Sequence, residues 1–112
     1  MLKIALVSFV LAAGTGLWTL IKWLTKKDSS RLVIYSHGIF AVAGLGILAY
    51  YSYNHPDHFP KISLYLFLVV ALVGFYMFFR DLKGKDSPMA LALTHALVAV
   101  LACILLLTFL FF

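Results

Sequence analysis

The sequence has little charge and no glutamate. Of its 112 residues, 9 are Lys or Arg and 4 are acidic, all four of them Asp. A soluble domain carries about a quarter of charged residues, so an ordinary soluble domain is excluded. The missing glutamate weighs against proton-coupled transport through a membrane carboxylate and against hydrolysis by paired carboxylates. A single cysteine, Cys103, excludes an internal disulfide and a cysteine-based zinc site; its apolar surroundings indicate an inert small hydrophobe.

The residues that are present are mostly apolar, at 64% with a mean hydropathy of +1.05. Formal charges are absent from four stretches, 4–21, 32–56, 62–79 and 87–112. A helix needs about 20 apolar residues to cross the hydrocarbon core of a bilayer. The sequence therefore predicts an all-α integral membrane protein, one transmembrane domain over 1–112, in contact with membrane lipid. We expect a four-transmembrane up-down helix bundle with helices at about 3–24, 31–53, 61–80 and 88–111.

The basic residues are divided unequally between the two ends of this bundle. Seven lie near the first and third loops and two lie at the N-terminus and the second loop: Lys22, Lys26, Lys27, Arg31, Arg80, Lys83 and Lys85 against Lys3 and Lys61. The positive-inside rule then puts the first and third loops in the cytoplasm. We expect both termini on the outer, periplasmic side of a bacterial inner membrane. We attribute the net charge of +5 to the basic residues that set this orientation. We therefore expect no nucleic acid partner.

The sequence also aligns with itself. With a shift of 58 residues, 3–54 lie over 61–112 without a gap, and the chain reads as two parallel helical-hairpin repeats. Seven of the identical pairs are not small aliphatics: Lys3/Lys61, Phe9/Phe67, Gly16/Gly74, Lys27/Lys85, Asp28/Asp86, Ser29/Ser87 and His37/His95. The Asp-Ser pairs are predicted to cap the second helix of each repeat, with Pro88 in its first turn. The alternative is that Lys27 or Lys85 contacts an anionic ligand.

One pair of histidines falls inside the predicted membrane core. His37 lies six residues after Arg31 and His95 seven after Pro88, so both are about 9–10 Å below the cytoplasmic boundary at 1.5 Å per residue. They belong to the second and fourth helices, at opposite corners of the bundle, and the pseudo-twofold axis makes them face each other. An ionisable side chain at this depth is a functional-site hypothesis by default.

Small residues surround both histidines in the predicted arrangement. Two lie one and two turns deeper on each histidine's own face, and two lie on the other helices at the histidines' height. These candidate cofactor-binding residues are Ala41, Gly44, Ala99, Ala102, Gly16 and Gly74.

A haem suits this pattern better than a bare metal ion. Zinc prefers four ligands and two-coordinate Cu(I) would not need the glycines, whereas haem uses two axial ligands and a flat slot. Opposite corners of a bundle are about 14 Å apart if adjacent helices lie about 10 Å apart. We predict His37 and His95 as axial metal ligands of haem b, with propionates near Lys22, Arg31 and Arg80. Bis-imidazole ligation favours electron transfer, so we expect an electron carrier rather than an enzyme.

These residues resemble a known arrangement. Cytochrome b subunits of quinol-oxidising respiratory complexes hold b haems in a four-helix bundle through histidines on its second and fourth helices, with glycines on the first and third. His37 and His95 match the histidine positions, and Gly16 and Gly74 match the glycines. The resemblance implies haem b and electron exchange with a quinone or a redox partner protein. It departs in having one histidine pair where that family has two.

Other readings stay open on the sequence alone. The histidines can instead hydrogen-bond between helices, worth about 0.6–2 kcal/mol each, in a non-catalytic membrane accessory or interaction subunit without cofactor. Quinone or copper binding is a further alternative, and a homodimer is allowed. A four-helix drug exporter is opposed by the lack of a membrane glutamate and by the charge bias. His55 and His58, in the external loop, are expected to be solvated.

Overall fold

The computed structural model describes residues 1–112, and four α-helices account for most of them. They are α1, Leu2–Leu24; α2, Arg31–Asn54; α3, Lys61–Leu82; and α4, Met89–Phe111. Each is long and apolar enough to cross a membrane, as is typical of a multi-pass membrane protein. The predicted all-helical fold with four helices is confirmed, and the observed helix ends lie within two residues of the predicted ones.

The helices form a ring in chain order. Helix α1 packs on α2 and α4, and α3 packs on α2 and α4, while the two diagonal pairs make no backbone contact. Contacts within the hairpins α1–α2 and α3–α4 are more extensive than those between the hairpins. The particle measures 44 × 23 × 21 Å, which suits helices of this length standing side by side. Short loops between antiparallel neighbours account for this topology.

Two equivalent turns end α1 and α3. Lys26 and Gly84 adopt positive φ angles of 58° and 72°, the left-handed conformation that commonly terminates a helix. The next residue closes each turn, because the Lys27 N–H donates to the Lys22 carbonyl at 2.7 Å and the Lys85 N–H to the Arg80 carbonyl at 2.9 Å. These turns lie in the α1–α2 loop and the α3–α4 loop. The end of the bundle that carries both loops is called the basic end.

The prediction that the Asp-Ser pairs cap the following helices was wrong. Helix α2 is capped by Ser30, whose Oγ accepts from the Leu32 N–H at 3.2 Å. The cap therefore falls one residue after Ser29, whose Oγ instead lies 3.3 Å from Thr19 Oγ1. Helix α4 begins after Pro88, which occupies the N-cap position itself and makes no side-chain capping bond.

The centre of the bundle is an aromatic stack. The rings of Phe9 and Phe67 cross the α1–α3 diagonal with centroids 3.8 Å apart and planes only 3° from parallel. A Cβ atom at Gly44 would lie 2.9 Å from Phe9 Cε1, so the ring packs directly on the α2 backbone. Leu48 and Leu106, both fully buried, belong to the same hydrophobic cluster. Most other large apolar side chains point outward, since lipid rather than water is their expected surroundings.

Serine hydroxyls add polar contacts between helices in the apolar interior. Ser8 Oγ donates to the Phe40 carbonyl at 2.6 Å and joins α1 to α2. Ser63 Oγ donates to the Ala102 carbonyl at 2.9 Å and joins α3 to α4. Each hydroxyl thereby satisfies its donor within the protein, as a group away from water must.

Replacement of Phe9 by alanine is expected to destabilise the bundle by about 3–5 kcal/mol, the usual cost of removing a buried phenyl ring. The variant loses the stack with Phe67 and leaves a cavity next to Gly44. Reversible unfolding in mixed detergent micelles measures the change. Phe75→Ala is the matched control because Phe75 is 47% exposed, and an equal loss in both variants would contradict the central role of the stack.

Candidate functional site

The structure brings His37 and His95 together inside the bundle. They lie on α2 and α4, which are the opposite corners of the ring. Their ring centroids are 6.3 Å apart and the ring planes are inclined by 69°. This pair of histidines, which the sequence also singled out, is the candidate site.

Each imidazole rests on a glycine of the preceding helix. A Cβ atom at Gly16 would lie 2.8 Å from His37 Cε1, and one at Gly74 would lie 3.1 Å from His95 Cε1. A Cβ atom at Gly16 would have to displace the His37 ring, whereas one at Gly74 would require the His95 ring to shift by only a few tenths of an ångström. The glycines therefore set the positions of the imidazoles, and the room that they provide is taken up by the rings themselves.

The backbone of α1 fixes the His37 ring. Its Nδ1 lies 2.7 Å from the Ala12 carbonyl oxygen, which also accepts a hydrogen bond from Thr15 Oγ1 at 3.0 Å. A carbonyl only accepts, so Nδ1 is the donor, and in the neutral ring Nε2 then carries the free lone pair. The nitrogen that can bind a metal is thereby selected. Sequence reasoning missed Ala12, because a backbone carbonyl leaves no side-chain pattern.

The His95 ring has a looser backbone contact. Its buried Nδ1 makes no hydrogen bond of regular geometry, but the backbone of Val70 is close enough to act as a hydrogen-bond partner. Val70 corresponds to Ala12 under the shift of 58 residues, so each histidine lies beside the equivalent backbone position of the preceding helix. Beside the His95 ring lies a cavity of about 60 Å³ between α3 and α4, lined by Val69, Val70, Val73, Leu91, Thr94, His95 and Val98.

The remaining small residues divide between two levels. Ala41 and Ala99 lie one turn from the histidines on the same helices and are half-buried. Gly44 contacts the Phe9 ring, and Ala102 is fully buried in the cluster that contains Phe67. Gly44 and Ala102 are therefore placed against the aromatic stack, two turns away from the imidazoles.

The three predicted cations all lie at the basic end, and each already has a partner. Arg31 forms an ion pair with Asp81 across the two hairpins. Arg80 donates to the Asp86 carbonyl at 2.7 Å, and Lys22 Nζ lies 5.1 Å from the centre of the Trp18 ring. Asp81 was not singled out from the sequence because it is 50 residues from Arg31 and only the folded chain brings them together.

The other histidines lie in the loop between α2 and α3 and make local contacts. His55 stacks on Tyr51 with centroids 4.0 Å apart, and its Nδ1 is 2.9 Å from the Tyr51 carbonyl oxygen. His58 lies 4.7 Å from the Phe109 ring. No group of three or more His, Cys, Asp or Glu side chains is arranged to hold a metal ion. A bound metal would therefore meet no more than two side chains of this kind together, the imidazoles of His37 and His95.

No protein-family model, curated protein or solved structure matches this chain. Two imidazoles this close together can share one metal centre or contribute to helix packing.

Gly16→Ala is expected to destabilise the protein by about 1–3 kcal/mol, the usual cost of overpacking, since the anchored His37 ring cannot yield without losing its hydrogen bond. Gly14→Ala is the control, because a Cβ there meets nothing within 4 Å and alanine favours the helix by about 1 kcal/mol. Unfolding in detergent micelles compares them. Equal stability of the two variants would contradict the close contact.

Proposed function

We propose that this chain is a small membrane b-type cytochrome that binds one haem b through His37 and His95 and carries electrons. The observation that supports it is the 6.3 Å separation of the facing imidazole centroids. A metal bound about 2.0–2.1 Å from one nitrogen of each ring places the two centroids roughly 6 Å apart. The two rings are therefore about as far apart as two imidazoles that share one metal would be.

The nitrogen atoms of this pair are also suitable ligands for a haem iron. The hydrogen bond from His37 Nδ1 to the Ala12 carbonyl leaves Nε2 free to bind and holds the ring in orientation, as partners of metal-binding histidines do. When bound, haem with two imidazole ligands supplies reversible one-electron transfer and leaves no open position for substrate. The protein's part is to hold the two rings and keep water away from them.

The macrocycle needs more space than the closed bundle provides beside the histidines. The cavity there measures about 60 Å³, whereas ligand pockets usually measure about 300–1,000 Å³. Haem binding therefore requires a slot for the macrocycle to open beside the histidines while the two imidazoles keep about their present separation. The contacts between the hairpins are the less extensive ones, so we expect the hairpins to shift relative to each other as units while each keeps its own packing.

The proposal includes a membrane orientation. The basic end carries seven of the nine Lys and Arg residues, which favours its placement in the cytoplasm and both termini in the periplasm of a bacterial inner membrane. Lys22, Arg31 and Arg80 then stand at the end nearest the histidines, where propionates would emerge. A quinone or a redox partner protein would exchange electrons there, because one site on one side cannot carry them across the membrane.

We also infer that the two hairpins are copies related by a pseudo-twofold axis. Matching features support this: the turns at Lys26 and Gly84, the Phe9–Phe67 stack and the histidine pair. A symmetric pair of ligands is the natural product of such a duplication.

A second candidate is a non-catalytic membrane subunit without cofactor. The hydrogen bond from His37 to Ala12 and the small volume beside His95 favour it. Both features are typical of histidines that only pack and hydrogen-bond between helices. In that case the pair links helices, with a contribution of about 0.6–2 kcal/mol per hydrogen bond.

An absorption spectrum separates these candidates. Protein produced with sufficient haem and purified in detergent is expected to show a Soret band that shifts on reduction with dithionite, at one haem per chain. The double variant His37→Ala/His95→Ala is expected to lose it. His55→Ala/His58→Ala is the matched control, with two histidines removed outside the site and the band retained. A colourless wild-type protein that haemin does not reconstitute would overturn the proposal in favour of the second candidate.

The orientation is tested separately by thiol labelling in a Cys103→Ser background. Asn54→Cys, at the end of α2 away from the basic end, is expected to react with a membrane-impermeant reagent in intact cells. Ser30→Cys, at the basic end, is expected to react only after the membrane is opened. The reverse pattern would place the basic end outside.

A further inference from the structure

We propose that the basic end holds two binding sites for the headgroup of an anionic phospholipid, one in each hairpin. The ligand is a lipid of the surrounding bilayer whose headgroup keeps the negative charge of its phosphate, and its binding does not depend on the proposed haem. Each site consists of one aromatic ring and two cations: Trp18, Lys22 and Lys27 in the first hairpin, and Tyr76, Arg80 and Lys85 in the second.

The first argument is a cation that lies against an exposed ring in both hairpins. Lys22 Nζ is 5.1 Å from the centre of the Trp18 ring. Arg80 Cζ is 5.8 Å from the centre of the Tyr76 ring. Each cation follows its ring by four residues, which places the two on the same helix face. Both rings are 53% exposed, so each pair lies on the surface of the bundle that meets lipid.

The second argument is the turn that ends α1 and α3. The Lys27 N–H donates to the Lys22 carbonyl at 2.7 Å, so the chain folds back and the second cation lies beside the end of α1. The Lys85 N–H donates to the Arg80 carbonyl at 2.9 Å, with the same result at the end of α3. All three positions of one site therefore correspond to those of the other under the shift of 58 residues.

The third argument is the excess of positive charge at the basic end. Seven cations share this end with three carboxylates, and the only ion pair joins Arg31 to Asp81. The cations of both proposed sites therefore have no acidic partner within the protein. Lys27 and Lys85 are exposed, and Arg80 donates only to a backbone carbonyl. Basic residues placed next to a membrane helix in this way attract anionic lipid headgroups.

The position of the rings identifies the source of the phosphate. Trp18 lies six residues before the end of α1 at Leu24, about 9 Å into the helix, and tryptophan and tyrosine are typical of the headgroup level of a membrane. A soluble anion would meet the loops without reaching the rings. A phospholipid brings its phosphate to the cations and its acyl chains alongside the rings. A zwitterionic headgroup is disfavoured, because its own cation competes for the phosphate.

Fluorescence quenching by brominated lipid tests the first site. The chain has two tryptophans, so Trp23→Phe leaves Trp18 as the only reporter. The full chain is reconstituted into vesicles of equal parts phosphatidylglycerol and phosphatidylcholine, with one lipid or the other brominated, and each emission is divided by that in unbrominated vesicles. Phosphatidylglycerol is expected to associate at Trp18 at least about fivefold more strongly, the factor expected for one cation near an anionic lipid. The ratio cancels any constant quenching by bound haem.

Glutamine variants separate a site from general attraction. Lys22→Gln/Lys27→Gln is expected to abolish the preference for phosphatidylglycerol, and Lys22→Arg/Lys27→Arg to retain it. Lys26→Gln/Lys83→Gln is the matched control, because it removes two exposed lysines of the same end that lie outside both sites. Equal loss in the two glutamine variants would show that only the total charge matters and would overturn the inference.

The second site is measured in the same way with Tyr76→Trp in a Trp18→Phe/Trp23→Phe background, and Arg80→Gln/Lys85→Gln is expected to abolish its preference. Potassium phosphate is expected to weaken the preference no more than potassium chloride of equal ionic strength. Stronger displacement by phosphate would assign the sites to a free anion and overturn the lipid as ligand. Equal quenching by the two brominated lipids at both reporters would also overturn the inference. These outcomes leave the absorption spectrum, and with it the test of the proposed function, unaffected.

Discussion

Close approach of side-chain rings to helix backbones at three glycines governs this bundle. Gly16 and Gly74 each contact an imidazole, and Gly44 contacts the phenyl ring of Phe9. A Cβ atom would clash with the ring at Gly16 and Gly44 and would be tightly packed against it at Gly74. Helices in lipid gain little from hiding apolar surface, so close packing has to supply the attraction between them. The three glycines bring the rings into the centre, where Phe9 meets Phe67 and His37 meets His95.

Polar groups in the interior follow from the same constraint. Ser8, Ser63 and His37 each hydrogen-bond to a backbone carbonyl of the neighbouring helix within their own hairpin. These bonds satisfy donors for which a membrane interior provides no water as an acceptor. They join α1 to α2 and α3 to α4. The hairpins meet each other at the aromatic stack, at the edge contact of Tyr35 with Phe78 and, at the basic end, through the ion pair of Arg31 with Asp81. Packing within each hairpin is the more extensive of the two.

The proposed haem binding depends on where the fold places His37 and His95. Near-symmetric positions on α2 and α4 bring the two imidazole centroids to 6.3 Å from each other, and each ring lies against a glycine of the preceding helix. Under the shift of 58 residues His37 lies over His95 and Phe40 over Val98, so the two hairpins match at the histidine and differ beside it.

The sequence by itself determined the number, length and order of the helices, because four charge-free runs match the thickness of a bilayer and short loops leave antiparallel neighbours as the simple solution. It also placed His37, His95, Gly16 and Gly74 at one height, since helical rise converts spacing into depth. Only the tertiary structure decided that Ser30 caps α2, that Gly44 serves Phe9, and that Arg31 pairs with Asp81. It alone showed that the Ala12 carbonyl lies within hydrogen-bond distance of His37 Nδ1. Those outcomes depend on rotations of helices about their axes and on backbone carbonyls of neighbouring helices, and neither leaves a periodic trace in the residues.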